Sequence, residues 1–119
     1  MKKILVIEDN EQNLYLIRFI LQKNGYDVLE ARNGETGVEM AVSLRPDLIL
    51  MDIQLPDIDG LEATKRIRNS KANGDIPIVA ITSYAMTGDR ERSIAAGCTG
   101  YIEKPINPET VMIEIEKYI

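Results

Sequence analysis

The chain has 119 residues, 45% of them hydrophobic, and 19 acidic side chains against 14 basic ones give a formal net charge of −5. That is the length of one domain able to bury a real core, and the acidic balance argues against a broad non-specific grip on nucleic acid or an anionic membrane. Histidine is absent, which removes Ser-His-Asp and Cys-His catalysis, histidine metal sites and phosphohistidine on this chain, and the single cysteine leaves no internal disulfide.

The chain opens MKKILVIEDN. Its apolar run stops after four residues, too short for the hydrophobic region of a signal peptide. Residues 3–8 (KILVIE) instead predict a strand that ends in two adjacent carboxylates, Glu8 and Asp9. Like charges resist ionising side by side, so either the pair points into water or something positive belongs there. Leu14, Ile17 and Leu21 step by three and four along a helix over 11–23, stopped by Asn24-Gly25. A second strand is expected at 26–31 (YDVLEA). A second helix follows over 35–44, with Val38, Ala41 and Val42 on its apolar face and Pro46 beyond it. The third strand, 47–52 (DLILMD), and the fourth, 77–82 (PIVAIT), are apolar nearly throughout, as central parallel strands covered on both faces are. Between them a third helix runs over 61–69, and NSKANGDIP (69–77) reads as a surface loop. A fourth helix over 88–96 stops at Gly97. Cys98, in the small-residue stretch AAGCTG, reads as a buried structural thiol in a protein of a reducing, cytoplasmic compartment. A fifth strand is expected at 99–103 (TGYIE). A fifth helix over 108–118 would be capped by Asn107 and opened by Pro108. Strict alternation of five strands and five helices predicts a parallel sheet with helices on both faces and right-handed crossovers. No stretch approaches a membrane span.

In an open α/β sheet, ligands bind beyond the carboxyl ends of the strands. Strand 1 ends in Glu8-Asp9, strand 3 in Asp52, strand 4 in Thr82, and strand 5 leads into Lys104. If these four strands are neighbours, one pocket holds three carboxylates, a hydroxyl and an ammonium. Three carboxylates carry about −3 if ionised and Lys104 returns one positive charge, so a divalent cation would neutralise the cluster. All-oxygen ligands favour Mg²⁺, which commonly shares its coordination with phosphate oxygens. Lysine suits a phosphoryl oxygen as a point charge, and the threonine hydroxyl can donate to another. Asp52, on the most central strand, is the candidate nucleophile for an aspartyl-phosphate.

The stretches ILVIEDN (4–10), LILMDIQLPDIDGLE (48–62), IVAITSYAM (78–86) and YIEKPI (101–106) resemble the receiver domain of bacterial two-component response regulators, and the likeness spans essentially residues 1–119. IEDNEQN, MDIQLPDIDGLEATK and GDRERSIAAGCTGYIEKPI are most similar to DivK-type single-domain regulators and the receivers of hybrid kinases. The resemblance implies a doubly wound (βα)₅ fold of flavodoxin-like, CheY-like strand order 2-1-3-4-5. It makes Asp52 the phosphoacceptor, with a sensor histidine kinase or histidine phosphotransfer protein as donor and a downstream protein as target. Asp9, Asp52 and the backbone carbonyl of Gln54 would hold Mg²⁺ (Mn²⁺ could substitute), with Glu8 assisting through a water. Lys104 would contact the phosphoryl group, and the Lys104-Pro105 bond would be cis. Thr82 would swing onto the phosphoryl oxygens and let Tyr101, on its own a core residue, turn inward. That motion repacks the face of helix 4, strand 5 and helix 5. Gln54 and Tyr84 occupy positions that tune phosphate lifetime. Many relatives have Asp where this chain has Glu8. The implied protein is no enzyme in its own right, and is a monomer or a weak phosphorylation-dependent dimer, either stand-alone or excised from something longer.

Three rivals carry other expectations. A flavodoxin-like redox protein needs a phosphate-welcoming first loop, whereas EDNEQN repels one. A small Mg²⁺-dependent aspartate phosphatase would place its nucleophile after strand 1 in a DxD arrangement that EDN lacks. A receiver that is never phosphorylated would serve only as an interaction module, although all five family groups are present here. No phosphate-binding glycine loop appears. Lys65, Arg66, Arg68 and Lys71 read as a solvated helix face rather than a nucleic-acid patch.

Overall fold

The computed structural model describes residues 2–70, 74–82 and 88–119. Strands and helices alternate as β1 (Lys3–Ile7), α1 (Glu11–Lys23), β2 (Asp27–Ala31), α2 (Gly34–Leu44), β3 (Leu48–Asp52), α3 (Gly60–Asn69), β4 (Ile78–Thr82), α4 (Asp89–Ala96), β5 (Gly100–Glu103) and α5 (Val111–Glu116). All four strand pairings are parallel and the sheet order is β2-β1-β3-β4-β5. The chain steps outward from β1 to β2, then returns past β1 to β3. The order therefore reverses between β1 and β3, where a doubly wound sheet opens a crevice above its strand ends.

Strand periodicity of two sorts the core into two layers. Ile4, Val6, Leu48, Leu50, Val79, Ile81 and Ile102 face α1 and α5. Leu5, Ile7, Ile49, Met51, Ile78 and Ala80 face the opposite layer with Ala41, Ala63, Ile67 and Cys98. Both β3 and β4 are buried along their whole length, as their unbroken apolar runs predict. On α1, Leu14, Ile17 and Leu21 are buried with Ile20, and Gly25, at φ +87°, ends the helix as expected.

Three expectations need correction. The inward face of α2 is Gly34, Gly37 and Ala41, while Val42 is exposed. The helix approaches the sheet so closely that a Cβ on Gly37 would lie 2.5 Å from Ile7 Cδ1, so small residues take the buried stripe and valine is turned outward. The fifth helix begins at Val111, with Thr110 at its N-cap, rather than at Pro108. Asn107 instead closes a preceding turn: its side chain accepts from Glu109 N–H at 2.9 Å, and its carbonyl accepts from Thr110 and Val111. Finally, Arg68 is not on the solvated face. Its guanidinium donates to the carbonyls of Gly97, Gly74 and Ile76 and to Thr99 Oγ1, tying the end of α3 to the entries of β4 and β5. Lys65 and Arg66 are exposed as expected, whereas Lys71 lies outside the described residues. Cys98 is a buried thiol, 3.7 Å from Thr64 Oγ1, and burial pushes its pKa up. Among the described residues no helix is long and apolar enough to cross a membrane.

Candidate functional site

The register of the sheet brings the polar strand ends together. Ile7 pairs with Met51, so Glu8-Asp9 and Asp52 leave adjacent strands at the same height; Asp52 pairs with Ile81, directly before Thr82. Lys104 follows β5, and its N–H donates to the Thr82 carbonyl at 2.7 Å. The Lys104-Pro105 bond is cis. One cleft is thus lined by Glu8, Asp9, Asn13, Asp52, Gln54 and Lys104.

Glu8 and Asp9 have opposite environments despite being neighbours. Glu8 is 1% exposed. Its Oε2 lies 3.1 Å from Lys104 Nζ, and its Oε1 accepts from the same nitrogen and from Asn10 N–H, each at 3.3 Å. Asp9 is exposed at the cleft rim. Asn10, which follows them, caps α1, its side chain accepting from Asn13 N–H. Burial and the nearby Asp52 charge push the Glu8 carboxyl up, against the Lys104 ammonium that lowers it.

Asp52 is 3% exposed and held from both sides. Gln54 N–H donates to Oδ1 at 3.1 Å, and Lys104 Nζ lies 3.3 Å from Oδ2. Lys104 therefore bridges two buried carboxylates, leaving Asp9 as the third acid. Carboxylate oxygens of Glu8, Asp9 and Asp52 lie within 4.8 Å of one another. Glu8 Oε2 is buried and makes no well-aligned hydrogen bond; its ion-pair partner is the Lys104 ammonium 3.1 Å away, which it shares with Asp52. An all-oxygen, net-negative donor set in which one ammonium serves two buried carboxylates fits a hard divalent cation. Thr82 is buried at the end of β4, and Tyr101 is half-buried against the layer containing Ala80 and Cys98. Tyr84 lies outside the described residues.

The loop after β3 contributes two further acidic residues, Asp57 and Asp59. Asp59 caps α3 by accepting from Glu62 N–H; its D-x-x-E spacing is a capping signature. Asp57 reaches across to α2: Oδ1 accepts from Gly34 N–H and Oδ2 from Glu35 N–H, both at 2.8 Å. No local pattern marks that contact, because the partners lie 23 and 22 residues away. Gly60 lets the loop fold back on β3, since a Cβ there would sit 2.3 Å from the Asp52 carbonyl oxygen.

The model of the response regulator receiver domain matches residues 4–116. The polar-differentiation response regulator DivK of Brucella anthropi is 42% identical over 118 residues, covering 99% of this chain and 96% of the relative. Among solved structures, chemotaxis protein CheY4 of Vibrio cholerae superposes with TM-score 0.94 at 28% identity, covering 100% of this chain and 99% of the other. The receiver domain of sensor histidine kinase PA1611 from Pseudomonas aeruginosa, solved with a magnesium ion coordinated in its active site cleft, gives TM-score 0.91 at 36% identity, covering 98% and 96%.

Proposed function

The chain belongs to the response regulator receiver family, whose part in two-component signalling is to accept a phosphoryl group, and on that premise we propose that Asp52 is the acceptor in a Mg²⁺-dependent transfer. The observation that carries this reading is the setting of Asp52: a nearly buried carboxylate at a strand end, held by one backbone N–H and one ammonium. In the transfer, an Asp52 oxygen forms a bond to phosphorus as the phosphorus–nitrogen bond of a partner's phosphohistidine breaks, and the released imidazole takes a proton. Asp9, Asp52 and the Gln54 carbonyl are the ligands we assign to Mg²⁺, with Glu8 acting through a water. When bound, the cation neutralises the carboxylates and the phosphoryl oxygens that approach them.

The chain's own groups then divide the work. Gln54 N–H holds one Asp52 oxygen, leaving the carboxylate oriented toward the cleft. Lys104, anchored on Glu8, supplies a positive charge that passes from Asp52 Oδ2 to the incoming phosphoryl oxygens as the negative charge moves. Thr82, at the neighbouring strand end, is the hydroxyl assigned to those oxygens, and its displacement frees Tyr101 to turn inward. The resulting change reaches the surface of α4, β5 and α5, where a downstream protein would read it. The donor is a histidine kinase or phosphotransfer protein, and no independent substrate turnover is expected.

Incubation with acetyl phosphate and Mg²⁺, followed by intact mass, tests the assignment. The wild type gains one phosphoryl mass and Asp52→Asn gains none; equal gain in both would show that another residue is the nucleophile.

A further inference from the structure

The segment between β3 and α3 is tied down at its ends. Ile53 N–H donates to the Ile81 carbonyl at 3.1 Å, and Gly60 N–H donates to the Ile53 carbonyl at 2.7 Å. Gln54 N–H reaches the Asp52 carboxylate, the group whose charge must be shared with a cation. Between Gln54 and Gly60 the loop has one further long-range polar anchor among the described contacts, the pair of bonds from the starts of α2 to Asp57.

That anchor is well built. The first turn of a helix presents unpaired N–H groups and the positive end of its dipole. Asn33 satisfies Thr36 N–H at 2.8 Å. Gly34 and Glu35 N–H are left, and a bidentate carboxylate from another element takes both. The apolar side of the same contact is as tight: a Cβ on Gly34 would fall 2.5 Å from Ile58 Cγ1. Only glycine lets the residue next to Asp57 close onto the helix.

We propose that Asp57 is a positioning residue for the metal site, clamping the β3–α3 loop to the N-terminus of α2 so that the Gln54 carbonyl faces the cation. The inference rests on the reading above that this carbonyl is a ligand. Asp57 touches neither cation nor phosphoryl group; it acts through three residues of backbone. Its contact also makes α2 part of the site's support, although α2 contributes no side chain to the cleft.

A structural cap and a positioning clamp are separable, because α2 has two caps and only one belongs to the loop. Mn²⁺ affinity is measured by calorimetric titration, and global stability by urea unfolding without metal, for wild type, Asp57→Ala, Asp57→Asn and Asn33→Ala. The clamp predicts that Asp57→Ala weakens Mn²⁺ binding by about 10-fold, the lower end of what outer partners of metal ligands contribute. Asn33→Ala should lose comparable stability and keep wild-type affinity. Asp57→Asn, with one acceptor oxygen in place of two, should fall between. Equal affinity losses in Asp57→Ala and Asn33→Ala would reduce Asp57 to a helix cap. Unchanged affinity in Asp57→Ala overturns the clamp, and if that variant does not fold, unchanged affinity in Asp57→Asn does so. Failure of the wild type to bind Mn²⁺ would instead overturn the assignment of the metal site itself.

Discussion

Replacing Glu8 by glutamine should stabilise the metal-free protein. Glu8 is 1% exposed, 3.1 Å from Lys104 Nζ, with a carboxylate oxygen within 4.8 Å of one from Asp52. At an effective dielectric of about 20, those distances give about 5 kcal/mol of attraction and at least about 3.5 kcal/mol of repulsion. Lys104 and Asp52 together therefore favour the charge by no more than about 2 kcal/mol, against a burial cost of several kcal/mol for one carboxylate. Burial wins, and the folded-state pKa lies above its ordinary value of 4.5. Because that pKa is raised, charging Glu8 opposes folding. The penalty is absent below about pH 4.5, grows as pH rises through the folded value, and is complete above it. Glutamine keeps the shape and removes the penalty, while Lys104 retains Asp52 as a partner. We expect Glu8→Gln to gain about 1–2 kcal/mol at pH 7.5 in chelator, and much less near pH 4.5. Saturating Mg²⁺ should shrink the difference, since it stabilises the wild type more than a variant that binds it more weakly. Urea unfolding at the two pH values, with and without Mg²⁺, measures all three effects. A variant no more stable than wild type at pH 7.5 in chelator would refute the reasoning, because it would mean that Lys104 already outweighs burial.

Three further outcomes follow from the geometry. Asp9→Asn should weaken Mg²⁺ binding by at least about 10-fold and by more than Glu8→Gln, since Asp9 is exposed at the rim while Glu8 is engaged with Lys104; equal losses in a calorimetric titration would mean that the two roles are wrongly divided. Arg68→Met strips donors from the Gly97, Gly74 and Ile76 carbonyls and should cost about 2 kcal/mol in urea unfolding. It should leave Mg²⁺ affinity untouched, because these contacts sit at the opposite ends of the strands. Gly60→Ala drives a methyl group into the Asp52 carbonyl and the Ile53 backbone; a loss of about 2–3 kcal/mol, with slower acetyl-phosphate labelling, is expected, and full labelling at wild-type stability would show that the loop relaxes freely.

Much of the molecule was written in local sequence. Continuous apolar runs in β3 and β4, stepped apolar residues in α1, and Gly25 and Gly97 as stops need only near neighbours to declare themselves. The meeting of Glu8, Asp9, Asp52 and Lys104 was also legible, since a strand's last residue must emerge at the sheet edge and these ends adjoin once the sheet is parallel. Tertiary structure decided what depends on distance between elements. It set the half-buried Lys104 against Glu8 and left Asp9 in the open, although the two acids are neighbours in the chain. It turned Val42 outward, because α2 lies too close to Ile7 for anything larger than glycine at position 37. It drew Arg68 from a helix face onto three carbonyls, and it joined Asp57 to α2 across more than twenty residues. Periodicity and spacing report the torsions and exposure of a segment; which carbonyl or ammonium lies opposite a given side chain is set only when separate segments pack.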